Sequence, residues 1–236
     1  FDVRGGKVIR DVRPGEIVEI LNSMDLATYK FGPQEKHPAH CMFEYVYFAR
    51  ADSIIDERSV YSVRFKLGEI LAEESPVDAD VVVPVPDSGS THADQSGRVQ
   101  EIMLKLNPVK HVINGKRVIL VDDSIVRGNT MKKIVSLLRD SGAREIHVRI
   151  GSPPIIAPCY LGVDMKTRDQ FIAAGKNVEE IRKIINADSL AYISLNGLIR
   201  AIGFDEDDLC IGCLTEIYPV KIKNEKFRGQ KNIESF

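Results

Sequence analysis

The chain has 236 residues and a net charge of −2, with 32 Lys and Arg against 34 Asp and Glu. Its 44% hydrophobic and 28% charged residues match an ordinary globular protein, which argues against a disordered chain. The sequence shows neither the basic run typical of nucleic-acid binding nor the roughly 18 to 20 apolar residues that a membrane span needs. We therefore expect a cytoplasmic protein with no nucleic-acid or membrane partner. Because it begins at Phe1 rather than Met, we also expect a fragment.

The N-terminal segment predicts a hairpin. Lys7 to Val12 and Glu16 to Leu21 are rich in β-branched residues, and Arg13-Pro14-Gly15 between them favours a turn. The polar stretch from Asn22 to His40 indicates a connector, with a domain boundary near Pro38. We therefore predict a small segment over residues 1–38 and one large domain over residues 39–236.

The large domain begins with a predicted strand and helix. Phe43 to Phe48 has the composition of a strand, and from Ser59 to Glu74 apolar residues recur at helical spacing behind a possible Ser59 cap. Three short apolar runs then follow, each too short for a helix and typical of buried parallel strands: Asp80 to Val85, Arg117 to Val121 and Glu145 to Ile150.

The remaining elements continue the alternation. An apolar face from Met131 to Leu138 predicts a helix, which Gly142 would end in a left-handed cap. Helices are predicted over Val178 to Ile185 and Leu195 to Ile202, around a strand from Leu190 to Ile193. The fold class is therefore α/β, with a mostly parallel sheet flanked by helices.

Two carboxylates follow the second of the buried strands. Asp122 and Asp123 stand at its carboxyl end, the edge at which open α/β sheets bind ligands. The loop from Ser124 to Thr130 leads into a helix, so its backbone amides could bind a phosphate monoester, and Gly128 allows close approach. Adjacent carboxylates repel each other unless a cation or sugar hydroxyls share them, which indicates ribose and Mg²⁺. A capped turn without a ligand is the simpler alternative for an isolated Asp-Asp pair.

A second loop ends the preceding strand. The turn Asp87-Ser88-Gly89 follows the apolar run at Val83 to Pro86, and its amides could bind pyrophosphate. By itself this turn is weak evidence for a site.

The thirteen residues from Val118 to Thr130 resemble the signature of type I phosphoribosyltransferases that binds phosphoribosyl pyrophosphate (PRPP), in the wording of the glutamine PRPP amidotransferase family. Phe43 to Arg50, Ile150 to Pro154 and Cys210 to Pro219 also match that family, so the resemblance covers nearly the whole chain. It implies the type I phosphoribosyltransferase fold, with transfer of ammonia to PRPP at the start of purine biosynthesis.

The resemblance also implies residue roles. Asp122 and Asp123 would be catalytic, and with Ser88 they would be associated with Mg²⁺. The 5′-phosphate would contact Ser124, Ile125, Val126, Arg127, Gly128, Asn129 and Thr130, and the pyrophosphate would contact Asp87, Ser88 and Gly89. Implied partners are PRPP, glutamine or ammonia, purine nucleotide inhibitors and further copies of the chain in a homo-oligomer.

The chain has four cysteines, and Cys210 and Cys213 form a C-x₂-C pair. With the remote Cys41 and Cys159 they could hold zinc or a 4Fe-4S cluster, and the spacing does not decide between these or two unrelated buried thiols. The resemblance implies the cluster, because one subclass of the family binds it through cysteines at these four places. His37 and His40 near Cys41 could suggest mixed zinc ligation, but their connector context favours solvated side chains.

Two parts of the resembled family have no counterpart. The glutaminase half is missing except for a closing hairpin and connector at residues 1–38, and a basic lid loop expected after Ser96-Gly97 is absent. Two alternatives therefore stay open. One is a nucleobase phosphoribosyltransferase, and the other is a regulatory module that binds PRPP or nucleotides without catalysis.

Overall fold

The computed structural model describes residues 5–30, 38–85, 100–101, 110–165 and 167–222. It divides into two compact units, Phe1–His40 and Cys41–Phe236. The strands are β1 (Glu16–Ile20), β2 (Leu26–Lys30), β3 (His40–Cys41), β4 (Ile54–Ile55), β5 (Arg58–Ser59), β6 (Val81–Pro84), β7 (Gln100–Glu101), β8 (Arg117–Asp122), β9 (Glu145–Ile150), β10 (Ser189–Tyr192) and β11 (Leu209–Cys210). The α-helices are α1 (Val60–Glu74), α2 (Lys110–Ile113), α3 (Asn129–Asp140), α4 (Val178–Ile185), α5 (Leu195–Ile202) and α6 (Gly212–Thr215).

The first unit contains a hairpin, but one strand later than the sequence predicts. β1 pairs antiparallel with β2, and β2 lies in the stretch expected to be a connector. Lys7 to Val12, predicted as the first strand, forms no strand. The chain reverses after Leu21, where Met24 adopts a left-handed φ of 66° and donates its N–H to the Leu21 carbonyl. The prediction relied on Pro14 and Gly15 as the turn, and the polar residues before Leu26 provide it instead.

The second unit is built on a five-stranded sheet in the order β10-β9-β8-β6-β7. All of its strand pairs are parallel. The three strands predicted from short apolar runs are confirmed as its central members, and the predicted strand near Leu190 is confirmed as β10. Parallel order brings the carboxyl ends of all these strands to one edge of the sheet.

The prediction of a strand over Phe43 to Phe48 is wrong. Glu44–Phe48 is a single π-helical turn, in which Ala49 donates its N–H to the carbonyl of Glu44 at 3.0 Å. Met42, Phe43, Tyr45 and Val46 are all buried. The aromatic and β-branched composition favours a strand locally, but packing of these side chains in one core decides the helical geometry.

The predicted helices are confirmed. Ser59 caps α1 by accepting a hydrogen bond from the Ser62 amide at 3.3 Å, and α3 is followed by Gly142 with a φ of 93°. One core packs α1 and α5 with the π-helix, while the other packs the central strands with α3 and α4. Among the helices that the structure describes, none is long and apolar enough to cross a membrane.

Candidate active site

The carboxylate pair lies at the carboxyl edge of the sheet. Asp122 is the last residue of β8, a central strand between β6 and β9. Its backbone carbonyl accepts a hydrogen bond from the amide of Gly151 at 2.9 Å, which extends the pairing with β9 to the end of the strand. This backbone pairing therefore fixes the positions from which the Asp122 and Asp123 side chains extend. The fold places the sequence-predicted pair at the edge expected to bind ligands.

The two carboxyl groups are held close together. Asp123 is only 5% exposed, and its carboxylate accepts a hydrogen bond from the Ser124 hydroxyl at 2.6 Å. Burial raises the pKa of Asp122 well above its usual range, the charge of Asp123 raises it further, and a hydrogen bond from the Asp123 amide opposes both effects. A cation or hydroxyl donors that share the pair would oppose this rise in the pKa of Asp122.

The loop after the pair has backbone amides that could bind an anion. In the part of the chain that the structure describes, none of the backbone N–H groups from Ser124 to Thr130 donates a hydrogen bond to another protein group. Gly128 adopts a φ of 77° at the N-cap of α3, so the loop leads directly into the start of that helix. Unpaired amides at a helix start, with the positive end of the helix dipole, bind anions. The geometry therefore suits a phosphate group.

Two residues that the sequence reading missed hold this loop. The amide of Ile172 donates to the carbonyl of Val126 at 2.8 Å, and Arg127 donates to the side chain of Gln170 at 2.6 Å. Ile172 is buried, whereas Gln170 lies in a short 3₁₀ turn. No local pattern links residues more than forty positions apart, so only the folded chain could identify them.

Other predicted site residues lie outside the described residues. Asp87, Ser88 and Gly89, and the expected lid position after Ser96-Gly97, fall between residues 86 and 99. Their roles therefore stay predictions.

Although the four cysteines are remote in sequence, the fold brings them close enough for their thiols to interact electrostatically. The strand that ends at Cys41 pairs with the strand that ends at Cys210, and Cys213 follows on α6. Burial raises the pKa of Cys213 to about 12, and the other three thiols add to the shift. Burial also raises the pKa of Cys41, as do Cys210 and Cys159. All four thiols are free of disulfide bonds.

Backbone amides point at several of these sulfur atoms. Leu161 and Val163 donate to the sulfur of Cys159, each at 3.4 Å. The backbone amides of Phe43 and Glu44 lower the pKa of Cys41, and the amide of Gly212 lowers that of Cys210, against the larger effect of burial. Such bonds stabilise thiolates, the form that binds metal.

The cysteine arrangement can be compared with what a zinc ion and an iron-sulfur cluster each require. Within the ranges that the structure describes, no three His, Cys, Asp or Glu side chains are close enough to hold a single metal ion. A tetrahedral zinc with Zn–S bonds of about 2.3 Å draws its sulfurs together, whereas in an iron-sulfur cluster each cysteine binds a different iron. The described cysteines therefore form no site for a single ion, and a cluster held by all four stays a prediction.

Comparison with known proteins defines the class. The phosphoribosyl transferase domain model matches residues 65–150, which include Asp122, Asp123 and the loop to α3. The glutamine PRPP amidotransferase of Bacillus subtilis, solved with ADP and GMP, superimposes with a TM-score of 0.86 at 38% identity, covering 95% of this chain and 56% of that one. The fold is therefore that of a type I phosphoribosyltransferase.

Sequence relatives narrow the assignment. The chain is 52% identical to the amidophosphoribosyltransferase of Pyrococcus horikoshii, over 89% of this chain and 52% of the relative. It is 46% identical to the enzyme of the same name from Methanocaldococcus jannaschii, over 94% of this chain and 56% of the relative. The chain belongs with the amidophosphoribosyltransferases and spans about half the length of the curated relatives it matches.

Proposed function

We propose that this chain is the PRPP-binding part of an amidophosphoribosyltransferase, and that it transfers ammonia to PRPP. The observation that supports this best is that Asp122 and Asp123 lie at one sheet edge with the amides from Ser124 to Thr130, which have no protein partner among the described residues. Sugar hydroxyls would donate to the first group and a phosphate would accept from the second. The two groups together suit a phosphorylated ribose.

In the proposed reaction, the nitrogen of ammonia forms a bond to C1 of the ribose. The bond from C1 to the pyrophosphate oxygen breaks with its electron pair, and the nitrogen then loses a proton, which gives 5-phosphoribosylamine and pyrophosphate. Positive charge develops on the ribose ring in the transition state, so the nearby carboxylates of Asp122 and Asp123 would stabilise it. The protein acts mainly by holding the sugar in a reactive orientation.

The phosphate end fixes that orientation. Amides from Ser124 to Thr130 would bind the 5′-phosphate, with the hydroxyls of Ser124 and Thr130 as further donors. Asp87, Ser88 and Gly89 would bind the pyrophosphate. Ser88, Asp122 and Asp123 would hold Mg²⁺, which supplies positive charge to the leaving pyrophosphate when bound.

We propose glutamine as the source of ammonia in a longer protein because the relatives are about twice as long as this chain. The chain spans about half of each relative, and the glutamine PRPP amidotransferase of Bacillus subtilis is named for glutamine as its substrate. Residues 1–38 would then belong to the end of a glutaminase domain. This chain by itself would use free ammonia.

For the cysteines we favour a 4Fe-4S cluster held by Cys41, Cys159, Cys210 and Cys213. The electrostatic interaction among the thiols and the amide bonds to the Cys159 sulfur support this assignment over two unrelated buried thiols. Iron and sulfide determination on anaerobically purified chain tests it, with about four of each expected per chain. Stoichiometric zinc without iron would contradict it.

Further partners follow from the relatives. The Bacillus subtilis protein was solved with ADP and GMP, which supports purine nucleotides as ligands of this chain, and we propose that they act as inhibitors. A cytoplasmic location and a homo-oligomeric state complete the proposal.

Calorimetric titration of the chain with Mg²⁺ and PRPP tests the main assignment. Wild type should bind, and the double variant D122N/D123N should lose at least about tenfold in affinity, because its ribose and metal partners are gone. The matched variant D205N/D207N, which alters two exposed carboxylates, should bind as wild type does. If wild type does not bind PRPP, the assignment is wrong.

Measurements of pyrophosphate release then distinguish the three candidate functions. Pyrophosphate release that depends on ammonia supports the amidotransferase. Release that depends on a purine base instead indicates a nucleobase phosphoribosyltransferase. PRPP binding without turnover under either condition favours a regulatory module.

A further inference from the structure

A short 3₁₀ turn, Arg168–Gln170, lies against the loop from Ser124 to Thr130, and we call it the support turn. The side chain of Gln170 accepts a hydrogen bond from the guanidinium of Arg127 at 2.6 Å. Arg127 is the one Lys or Arg in the loop. An arginine has five N–H donors, so this bond leaves others that could contact a phosphate at the loop. The support turn thus sets the direction of the cationic side chain nearest to the loop amides.

Burial holds the chain after the support turn more firmly than the turn itself. Phe171 is buried in the core that contains α1 and α5, and Ile172 is buried in the core of the central strands. By contrast, Arg168 is half-buried, and Asp169 and Gln170 are exposed. Gln170 therefore needs a further contact of the turn to keep its side chain in one place.

Arg168 provides that contact through an ion pair with Glu216. Glu216 is the C-cap of α6, where its amide donates to the carbonyl of Gly212 at 2.8 Å. Its φ of 66° is rare for a residue other than glycine and persists only where the surroundings enforce it, so the Glu216 backbone is held firmly. Within the turn, the amide of Phe171 donates to the carbonyl of Arg168 at 3.1 Å. The ion pair therefore ties the support turn to a helix that is remote in sequence.

We propose that Arg168 and Gln170 are positioning residues for phosphate binding. Arg168 fixes the support turn through Glu216. Gln170 then orients the Arg127 guanidinium toward a phosphate bound at the loop. The inference rests on the proposed function and adds to it two residues that act through Arg127. Because the side chains of the ion pair are 31% and 32% exposed, the pair contributes little to stability, and its role is to place the turn.

The ion pair between Arg139 and Asp188 provides a matched control. It also joins residues that are remote in sequence, at 2.6 Å, and its side chains are 33% and 38% exposed. Arg139 lies in the last turn of α3, at the opposite end of that helix from the loop. R139E therefore makes the same change of charge as R168E without touching the support turn.

The test measures the affinity of the full chain for inorganic phosphate by calorimetric titration, with thermal unfolding followed in parallel. We expect Q170A, R168E and E216R each to lose at least about fivefold in affinity, because Arg127 is no longer oriented. Q170E keeps an acceptor for Arg127, and the exchange variant R168E/E216R restores an ion pair, so both should stay within about threefold of wild type. R139E should also bind within about threefold.

The two single charge changes separate positioning from a general effect of charge. A negative charge added near the loop weakens anion binding, and an added positive charge strengthens it. Charge alone would therefore weaken binding in R168E and strengthen it in E216R. Loss of positioning weakens binding in both variants.

Four results would overturn the inference. These are unchanged or tighter binding by E216R, binding by Q170A as in wild type, an exchange variant as weak as R168E, and equal losses in R139E and R168E. If R168E or E216R does not fold, Q170A decides: a fivefold loss supports the inference, and affinity within about twofold of wild type overturns it. If wild type binds neither phosphate nor PRPP with Mg²⁺, the proposed function itself is wrong.

Discussion

The side chain of Ile172 occupies the space beside Gly128, where its Cδ1 atom lies 2.4 Å from the position that a Cβ on Gly128 would take. Gly128 also has a φ of 77°, a left-handed conformation that other residues adopt at a cost. These two constraints act at the last residue of the loop before α3. The loop geometry therefore depends on glycine for two independent reasons.

Replacing Gly128 with alanine should disturb both stability and phosphate binding. Left-handed strain of roughly 1 to 2 kcal/mol and displacement of the Ile172 side chain should lower the unfolding free energy by about 2 to 3 kcal/mol. Phosphate affinity should fall at least about tenfold, because the amides before α3 shift. Urea unfolding and calorimetric titration measure the two effects.

G115A is the matched control for that variant. Gly115 has a φ of 74° with no atom within 4 Å of a Cβ, so it shares the strain without the steric conflict. It should cost roughly 1 to 2 kcal/mol and leave phosphate affinity unchanged. Equal losses of affinity in G128A and G115A would contradict the role given to Ile172.

The Asp122 carboxyl should make stability depend on pH. Its folded-state pKa is raised above the unfolded value, so its contribution favours folding at low pH and is lost as the pH rises through the folded pKa. D122N cannot ionise, so its melting temperature relative to wild type should increase by about 2 °C or more between about pH 4 and 8. The same variant should bind PRPP poorly.

Thermal unfolding of D122N, D207N and wild type across that pH range measures the effect. Asp207 is exposed, so the difference between D207N and wild type should stay nearly constant. A D122N difference that is equally flat would show that burial of Asp122 does not penalise its charge.

Cys213 should react slowly with alkylating agents in the metal-free chain. Its pKa of about 12, raised by burial and by the neighbouring thiols, leaves little thiolate at pH 8. We expect alkylation by iodoacetamide at least about a hundredfold slower than in the same chain unfolded in urea. Mass spectrometry of peptides containing Cys213 measures both rates, and similar rates in the two states would refute the prediction.

Gly212, inside the C-x₂-C pair, should be required for metal retention. A Cβ at this position would lie 2.3 Å from the ring of Tyr218, whose hydroxyl donates to the carbonyl of Pro158 at 2.6 Å. G212A should displace the ring and disturb the segment that leads to Cys159, so iron bound per chain should fall by at least about half. Y218F keeps the ring and loses one hydrogen bond, which should cost about 1 kcal/mol and retain the iron. Full iron retention in G212A would contradict the prediction.

The sequence by itself determined the elements that depend on local patterns. The central strands were predicted from short apolar runs, α1 from its periodicity and Ser59 cap, and the end of α3 from Gly142. Asp122, Asp123 and the loop to Thr130 were also predicted, because a polar loop between a buried strand and a helix is a local signal.

The tertiary structure alone determined the features that depend on contacts between distant residues. The π-helix at Glu44–Phe48, the support of the loop by Ile172 and the electrostatic interaction among the four cysteine thiols depend on residues that are distant in the chain. Hydrogen bonds and packing between such residues form only after the sheet orders its strands, so no local propensity specifies them. The sequence thus determines which chemical groups stand at the strand ends, and long-range packing determines how those groups are held.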